Sequence, residues 1–257
     1  MNIIGVITAR MGSSRFPGKP LHPILDMPMV EHVYRRAKMY NKWDKLLIST
    51  CDDEIIDFCK SKNFPVVKTS PLHKRALERT AETASLLPNV KSNDVVVCVQ
   101  GDEPMMTPEM VDITIQPIIV KDRDCTVLGM EIEDETMWQN EDIVKIIHNI
   151  KYKVLYTSRS PIPNSYFRNK YDNVIRRIYG ILAFKYHALL KFINFQETFL
   201  ELVESCDSNR ILDMDIDQYV APIKYHDSFS VDSPEDIKKV EQYLINDPIY
   251  KIYKDEK

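Results

Sequence analysis

The sequence predicts an α/β protein with a doubly wound, mostly parallel sheet. Strand-like and helix-like segments alternate four times before residue 120, which is typical of parallel strands joined by crossover helices. The strand-like segments are continuous apolar runs, so we expect both faces of each strand to be buried. No linker-like stretch divides the 257 residues. We therefore expect one domain, with a β-rich excursion of about residues 121–195 within it.

Local features place each element of the N-terminal half. Strands are predicted where apolar residues are contiguous, at residues 2–8, 45–50, 65–68 and 94–99. Helices are predicted where apolar residues recur at helical spacing, at residues 28–39, 53–62, 78–87 and 108–118. Asp52 or Asp53 can cap the second of these helices, and Thr107-Pro108 gives the fourth a cap and a first-turn proline.

The C-terminal half is less regular, and its elements depend on shorter patterns. We predict a hairpin at residues 144–150 and 154–156, a proline-stiffened loop at 160–164, a strand at 179–184, and helices at 198–205 and 234–244. The charged end of the chain, YKIYKDEK, is expected to be frayed.

The composition argues against several classes of protein. A net charge of -4 gives no overall attraction to nucleic acid, so any anion-binding surface must be local. The five cysteines form no CxxC pair, which argues against a zinc site. No apolar run approaches the roughly 18 residues of a membrane span. The odd number of cysteines and the missing signal peptide predict reduced thiols and a cytoplasmic location.

The clearest functional signal is the loop ITARMGSSRFPGKPL, residues 7–21, which follows the first predicted strand. A glycine-rich loop at the end of a strand can direct backbone N–H groups at a phosphate, and basic and hydroxyl side chains add to that attraction. The candidate phosphate-binding residues are Arg10, Gly12, Ser13, Ser14, Arg15 and Lys19. The alternative is an ordinary solvated basic turn.

Two common phosphate-binding motifs do not fit this loop. A Walker A motif has four residues between its glycines and a Ser or Thr after its lysine. Here five residues separate Gly12 from Gly18, and Pro20 follows Lys19. Proline has no hydroxyl for Mg²⁺, which argues against a P-loop kinase. The dinucleotide fingerprint GxGxxG is also absent.

The loop has the pattern R-x-x-S-x-R-x-P-G-K, which resembles the cytidylyltransferases that make CMP-sugars, most closely the 3-deoxy-manno-octulosonate (KDO) cytidylyltransferase family. Further motifs follow in the order typical of that family. They are VQGDEP at residues 99–104, Asn140 with Val144-Lys145, YTSRSPIP at 156–163, GILAF at 180–184 and FSVDSPEDI at 229–237. The resemblance implies a nucleotide-diphospho-sugar transferase-like, Rossmann-like fold. It also implies a single cytidylyltransferase domain over residues 1–257, whose excursion binds the acceptor and forms a homodimer.

The resemblance also implies a reaction and a set of site residues. An acceptor oxygen attacks the α-phosphate of CTP, pyrophosphate leaves, and Mg²⁺ is the cofactor. The implied catalytic residues are Arg10, Lys19, Asp102 and Asp232, of which the two aspartates hold the metal. Arg79 is implied to contact the nucleotide, and Gln100 and Arg159 to contact the acceptor.

Simpler roles stay open for three of these residues. Asp102 could cap the turn before Pro104, and Asp232 could cap the last predicted helix. Arg159 could form an ordinary surface or interface ion pair.

The sequence departs from the family pattern in three segments that we expect around the acceptor. The family's H-x-S-G-T-D/E-R is replaced by residues 73–79, HKRALER. A histidine that precedes the family's GIYAY is absent, and Arg176-Arg177 stand before Ile178-Tyr179 instead. The family's E-S-L-E-Q-L-R is replaced by residues 204–210, ESCDSNR, without the glutamine.

These departures leave the identity of the acceptor open. KDO itself, a related sugar acid, an amino-sugar variant or a phosphonate are the alternatives, and KDO would imply a role in lipopolysaccharide biosynthesis. A nucleotide-binding module without turnover is the alternative from another class of protein.

Overall fold

The computed structural model describes residues 1–13, 15–164 and 175–255, which form two compact units. The first unit comprises residues 2–90, 96–111 and 227–257. The second unit comprises Met1 and residues 91–95 and 112–226. The predicted excursion of about residues 121–195 falls within the second unit, and its limits as a domain stay a prediction.

The first unit is an α/β layer structure. Its strands are β1 (Ile3–Thr8), β2 (Pro23–Ile24), β3 (Met27–Pro28), β4 (Lys45–Thr50), β5 (Val66–Lys68) and all but the first residue of β6 (Val95–Gln100). Its helices are α1 (Met29–Lys38), α2 (Asp53–Ser61), α3 (Ala76–Ser85), the start of α4 (Pro108–Lys121), α9 (Pro234–Leu244) and α10 (Pro248–Tyr253), with a 3-10 turn at Lys19–Leu21.

The main strands of this unit lie in the order β6-β1-β4-β5. β1 pairs with β4 in parallel, with Val6 opposite Leu47, and β4 pairs with β5 in parallel. Every residue of Ile3–Ile7 is buried, as the continuous apolar run predicts. Because these strands are parallel, their carboxyl ends meet at one edge, where the following loops are brought together.

One hydrophobic cluster connects the loops at that edge to the helices. Phe16 in the opening loop, Met105 after β6 and Val231 before α9 are at most 7% exposed and share a core. The other buried members of that core are Ile24, Met29, Ile237, Val240 and Leu244. Burial of each such side chain stabilises the fold by about 1.5–3 kcal/mol. The three loops are therefore held by packing as well as by polar contacts.

The second unit is richer in antiparallel pairing. Its elements are the end of α4, β7 (Cys125–Glu131), α5 (Glu135–Gln139), β8 (Lys145–His148), β9 (Val154–Ser158), β10 (Arg176–Lys185), α6 (Tyr186–Ile193), α7 (Phe199–Glu204), α8 (Asp207–Asp213) and β11 (Gln218–Ile223). β10 pairs antiparallel with β7 and β8, β8 pairs antiparallel with β9, and β11 runs parallel to β7. The predicted hairpin is confirmed as β8 and β9.

The predicted α/β class with a mostly parallel central sheet is confirmed, and most predicted elements lie within two residues of the observed ones. The sequence patterns missed β2, β3, β7, β11, α5, α6 and α8, although Asp134 caps α5 by accepting a hydrogen bond from the Met137 N–H at 2.6 Å. Thr107 caps α4 as predicted, because its hydroxyl oxygen accepts a hydrogen bond from the Met110 N–H at 3.3 Å.

The prediction of a frayed C-terminal end is wrong for residues 250–253, and its last two residues, 256–257, lie outside the described residues. Residues Pro248–Tyr253 form α10, which Asp247 caps by accepting a hydrogen bond from the Ile249 N–H at 3.0 Å. Tyr253 is fully buried, and its hydroxyl lies 2.7 Å from Nδ1 of His32. The buried side of this helix was missed because charged residues surround its one fully buried tyrosine in the sequence.

Among the described residues, no helix is long and apolar enough to cross a membrane.

Candidate functional site

The loop after β1 closes on itself at Met11. The Met11 carbonyl accepts hydrogen bonds from the Ser13 N–H at 2.9 Å and from the Gly18 N–H at 3.0 Å. Gly18 has a φ of 76°, a left-handed backbone conformation that residues other than glycine rarely adopt. The Pro-Gly-Lys sequence therefore makes a sharp turn, after which Lys19 begins the 3-10 turn.

The Lys19 ammonium lies at the centre of the site. Lys19 is only 9% exposed, and Nζ donates hydrogen bonds to Oδ2 of Asp102 at 3.0 Å and to the Val231 carbonyl at 2.7 Å. These two acceptors belong to the loop after β6 and to the segment before α9. One lysine thus connects all three predicted motifs of the first unit.

The backbone itself joins the other two motifs. The Gly101 N–H donates to the Thr8 carbonyl at 3.0 Å, and a Cβ at position 101 would lie 2.4 Å from that oxygen. No other residue could approach the end of β1 so closely, which explains the glycine of the QGD motif. The Val231 N–H donates to the Asp102 carbonyl at 2.9 Å, so Asp102 and Asp232 lie on adjoining segments.

Asp232 does not cap α9. Ser233 is the capping residue, in a capping box with Asp236. Oδ1 of Asp232 instead accepts a hydrogen bond from the Arg15 guanidinium at 2.7 Å, and both side chains are partly exposed. The alternative that Asp232 only caps the last helix is therefore wrong, because its carboxylate faces the opening loop.

The Asp102 carboxylate has the properties of a metal ligand. Oδ2 faces Lys19, whereas Oδ1 is inaccessible to solvent and has no hydrogen-bond partner among the described residues. A buried carboxylate oxygen without a donor is costly unless a cation binds it. Within the same described ranges, no cluster of three or more potential protein ligands occurs. The Asp102 oxygen fits a hard cation such as Mg²⁺, which would take its further ligands from Asp232, phosphate oxygens and water, and this metal site stays a prediction.

The remaining residues predicted for this site differ in exposure and in hydrogen bonding. Arg10 is exposed, and no described residue accepts a hydrogen bond from its side chain. Ser13 Oγ accepts a hydrogen bond from the Phe16 N–H at 3.3 Å, which leaves its O–H available as a donor. The space beside Gly12 is open. Ser14 lies outside the described residues. Gln100 ends β6 and is partly exposed.

Arg79 is enclosed between two strand ends of the first unit. It is 3% exposed, and its terminal nitrogens donate to Oγ1 of Thr69 at 2.5 Å and to Sγ of Cys51 at 3.6 Å. The guanidinium thus connects the ends of β4 and β5. Its predicted contact with a nucleotide stays a prediction.

Arg159 lies in the second unit, in a cluster around Glu204. Its Nε donates to the Glu204 carbonyl at 3.0 Å, and one terminal nitrogen donates to the carbonyls of Glu141 at 3.0 Å and Asp142 at 3.3 Å. These contacts are to backbone oxygens, and the alternative of a surface or interface ion pair stays open. Its predicted contact with an acceptor carboxylate stays a prediction.

The Glu204 carboxylate is the acceptor at the centre of this cluster. It accepts hydrogen bonds from the Arg159 N–H at 2.8 Å, the Ser158 hydroxyl at 2.7 Å and the Tyr156 hydroxyl at 3.0 Å. Desolvation alone would raise the pKa of Glu204, but these donors outweigh it and hold that pKa below its ordinary value. The YTSRSP segment is thus fixed around one anion.

Lys145 of the predicted N-x-x-x-V-K motif supports the same segment. It is fully buried, and Nζ donates to the carbonyls of Asn140 at 2.8 Å, Ile143 at 2.7 Å and Arg159 at 2.5 Å. Burial lowers the pKa of this ammonium, and the charge of Arg159 lowers it further.

The three departures from the family pattern have local structural roles. His73 Nε2 lies 2.5 Å from a carboxylate oxygen of Glu82. Arg176 is buried and donates to the Gly129 and Ile223 carbonyls at 3.2 and 2.9 Å. Asn209 is fully buried; its amide oxygen accepts from the Thr157 hydroxyl at 2.8 Å, and its amide N–H donates to the Thr157 carbonyl at 3.1 Å.

Sequence patterns missed two groups that shape the site. The Ser230 hydroxyl donates to Oε1 of the buried Glu103 at 2.7 Å and thereby joins the two aspartate-bearing segments again. Oδ2 of Asp52 accepts a hydrogen bond from the Met11 N–H at 2.7 Å. Neither contact leaves a local signal, because the partners are 127 and 41 residues apart in the chain.

Comparisons with known proteins agree with the motifs. A family model described as "Cytidylyltransferase" matches residues 4–218. The chain is 34% identical over 254 residues to the 3-deoxy-manno-octulosonate cytidylyltransferase of Thermodesulfovibrio yellowstonii, covering 95% of this chain and 98% of that protein. It is also 34% identical over 253 residues to the 8-amino-3,8-dideoxy-manno-octulosonate cytidylyltransferase of Shewanella frigidimarina, covering 96% and 100%.

A solved structure is similar over the same extent. The structure of CMP:2-keto-3-deoxy-manno-octonic acid synthetase complexed with CTP superposes with a TM-score of 0.85 at 27% sequence identity. The similarity covers 95% of this chain and 99% of that one.

Proposed function

The chain belongs to the cytidylyltransferase family, and from this premise we propose its reaction: it transfers CMP from CTP to a 2-keto-3-deoxy sugar acid of the KDO type and releases pyrophosphate. It is therefore a nucleotidyltransferase. The predicted enzyme class is confirmed, and the alternatives of a P-loop kinase and of a binding module without turnover lose their support.

The observation that carries this proposal is the position of Lys19. Its ammonium has three N–H donors, and the residues that the structure describes accept from two of them. The third donor is available for a phosphate oxygen. A buried cation beside Asp102 and the segment of Asp232 is suited to a triphosphate, whose negative charge it offsets where water is largely excluded.

We assign the metal to Asp102 and Asp232. When bound there, Mg²⁺ would offset negative charge on the phosphates. The buried Oδ1 of Asp102 lacks a donor, and the exposed pair of Asp232 with Arg15 is worth only about 0–1 kcal/mol, so both carboxylates can accept a cation at low cost. Hard carboxylate oxygens are the ligands that this ion prefers.

The residues of the chain act mainly by binding and orientation. Arg10, Arg15 and Lys19 would hold the β- and γ-phosphates and offset the charge that develops on the leaving pyrophosphate. The hydroxyl of Ser13 would donate to a phosphate oxygen. The acceptor hydroxyl would then attack the α-phosphate from the side opposite to the leaving group. Gln100 and Arg159 remain our candidates for contacts with the acceptor.

Two acceptors are supported by specific observations. KDO is favoured by the similarity to the enzyme of T. yellowstonii, and its 8-amino-3,8-dideoxy analogue by the equal identity, 34%, to the enzyme of S. frigidimarina. The departures at residues 73–79, 176–177 and 204–210 agree with a modified acceptor site. A phosphonate acceptor has no such support.

Pyrophosphate release from purified protein tests the proposal directly. CTP, ATP, GTP and UTP are each supplied with Mg²⁺ and with KDO, its 8-amino analogue or a phosphonate. We expect release only with CTP and a KDO-type acid. Release of a nucleoside diphosphate would instead indicate a kinase, and CTP binding without any turnover would indicate a binding module.

Three further expectations belong to this proposal. We infer a homodimer, a cytoplasmic location and a role in lipopolysaccharide biosynthesis, all from the similarity to KDO cytidylyltransferases. Sedimentation of the purified chain tests the first. Omission of Mg²⁺, with replacement by Ca²⁺ as a control, tests the metal, and we expect turnover to be lost without it.

A further inference from the structure

Asp52 occupies the capping position of α2 but does not cap that helix. Its backbone is extended, with φ at −98° and ψ at 126°, as in many N-cap residues. No helical N–H donates to its side chain. Oδ2 instead accepts a hydrogen bond from the Met11 N–H at 2.7 Å, across 41 residues of sequence. The carboxylate therefore stabilises the opening loop and not the local helix.

Met11 is the residue through which the opening loop is closed. Its carbonyl accepts from the N–H groups of Ser13 and Gly18, so a shift of this peptide would move both sides of the loop. The N–H of Ala9, two residues earlier, donates to the Ser49 carbonyl at 3.0 Å. Arg10 thus lies between two backbone groups that are fixed to the end of β4.

The surroundings of Asp52 fix its direction. Its own N–H donates to Oγ1 of Thr50 at 3.1 Å, and the Thr50 hydroxyl lies 3.5 Å from Oδ2. A charged acceptor gives a stronger hydrogen bond to a backbone N–H than a neutral one. A hydrogen bond of this kind would preorganise the loop, and a preorganised loop binds with a smaller loss of conformational entropy.

The neighbouring Asp53 shows what an ordinary surface aspartate does here. Its side chain is 75% exposed and forms an ion pair with Lys68 at 2.6 Å. Among the described residues, the Asp53 side chain forms no hydrogen bond or ion pair with the opening loop. Two adjacent aspartates thus have different partners, and only the first reaches the phosphate-binding loop.

We propose that Asp52 is a positioning residue for CTP binding. By accepting the Met11 N–H, it holds the loop in the conformation that presents Arg10 and Lys19 to the triphosphate. This inference rests on the proposed function, because it assigns the loop to the triphosphate of CTP.

The test compares the variants Asp52→Ala, Asp52→Asn and Asp53→Ala. CTP binding is measured by calorimetry without acceptor, and KM and kcat are measured by pyrophosphate release. For Asp52→Ala we expect CTP to bind about 10- to 30-fold more weakly, with a matching rise in KM and a smaller fall in kcat, by loss of one charge-assisted hydrogen bond. Asp52→Asn keeps an acceptor oxygen and should restore binding to within about threefold of the unmodified protein. Asp53→Ala should bind CTP normally.

Each other outcome has a defined meaning. If Asp52→Ala lowers the melting temperature but leaves the dissociation constant and KM unchanged, Asp52 is only structural and the proposal is overturned. If Asp52→Asn is as impaired as Asp52→Ala, charge and not the hydrogen bond to Met11 is responsible, which also overturns it. If the unmodified protein does not bind CTP, the proposed function itself has failed.

Discussion

Two buried lysines, one in each unit, differ in how fully their hydrogen-bonding capacity is used. Lys19 is 9% exposed and donates to one carboxylate and one carbonyl, so a third N–H remains for a ligand. Lys145 is fully buried and donates to three backbone carbonyls, so its ammonium is saturated. Both lie in motifs that the sequence singles out as functional.

The difference lies in what the surrounding backbone offers. At Lys19 the nearest acceptors are a carboxylate with one oxygen lacking a donor and a single carbonyl, so the site has spare capacity for both an anion and a cation. At Lys145 three backbone carbonyls surround the ammonium and accept a hydrogen bond from each of its N–H groups. We infer that unsatisfied hydrogen-bonding capacity, and not burial or motif membership, separates binding residues from structural ones in this protein.

Loss of the Lys19 ammonium should have the largest effect on catalysis. The variant Lys19→Met removes a donor to the phosphates and leaves Asp102 without its ion-pair partner. We expect kcat/KM for CTP to fall by about 10²- to 10³-fold, the usual cost of losing one donor that stabilises developing charge. Steady-state pyrophosphate release measures this, and circular dichroism verifies folding. A variant with nearly normal kcat/KM would contradict the comparison.

Loss of the Lys145 ammonium should act on stability instead. In Lys145→Met three carbonyls lose their donor, and we expect the free energy of unfolding to fall by about 3 kcal/mol, with kcat/KM per folded molecule changed less than about tenfold. Urea unfolding measures the first quantity. The control is Lys153→Met, which removes an exposed ion pair with Asp217 and should change stability by less than about 0.5 kcal/mol. If Lys145→Met lost catalytic activity without loss of stability, a fully hydrogen-bonded lysine would have a functional role, which would contradict the inference.

His32 tests whether the hydrogen-bonding state of a basic group, and not the unit in which it lies, decides its role. It lies in the first unit, as Lys19 does, but both of its ring nitrogens have hydrogen-bond partners. It is fully buried, Nε2 donates to the Ile24 carbonyl at 2.9 Å, and Nδ1 accepts from the Tyr253 hydroxyl at 2.7 Å. Burial lowers the pKa of His32 to about 4, and the neighbouring Arg36 contributes to that shift. We therefore expect a structural role, like that of Lys145.

The sign of the pH effect follows from that pKa. Below pH 6.5 the unfolded chain takes up a proton that the folded protein takes up only near pH 4. The free energy of unfolding should therefore decrease as the pH falls from 6.5 to 4, by at most about 3 kcal/mol from this group. Urea unfolding at several pH values should show a smaller decrease in the free energy of unfolding for His32→Gln than for the unmodified protein. His22→Gln alters an exposed histidine and should show the same decrease as the unmodified protein. An unchanged slope in His32→Gln would contradict the assignment.

Arg15 should give the smallest effect, because it is half exposed and its pair with Asp232 is partly screened by water. We expect Arg15→Ala to weaken CTP binding by less than about tenfold, and the difference from the unmodified protein to shrink as salt is added. Calorimetry at two ionic strengths measures this. Lys68→Ala, which removes another exposed cation, is the control and should bind CTP normally. An effect that does not depend on salt would indicate a buried contact.

The fold was predictable where local chemistry repeats. Continuous apolar runs predicted β1, β4, β5 and β6, and proline and threonine at the start of α4 predicted its first turn. The α10 helix was missed although Asp247-Pro248 gives it a cap and a first-turn proline, because one buried tyrosine among charged residues gives no apolar period. Tyr253 of this helix contacts His32, which lies 221 residues away in the chain.

The sequence by itself determined the α/β class, the family resemblance carried by its ordered motifs and the residues of the opening loop, because each depends on residue types within short segments. Only the tertiary structure decided which charged groups retain free capacity. Lys19 and Lys145 look alike in sequence, as do Asp52 and Asp53. Their partners come from segments remote in the chain, and hydrogen bonds act over about 3 Å of space irrespective of separation in sequence.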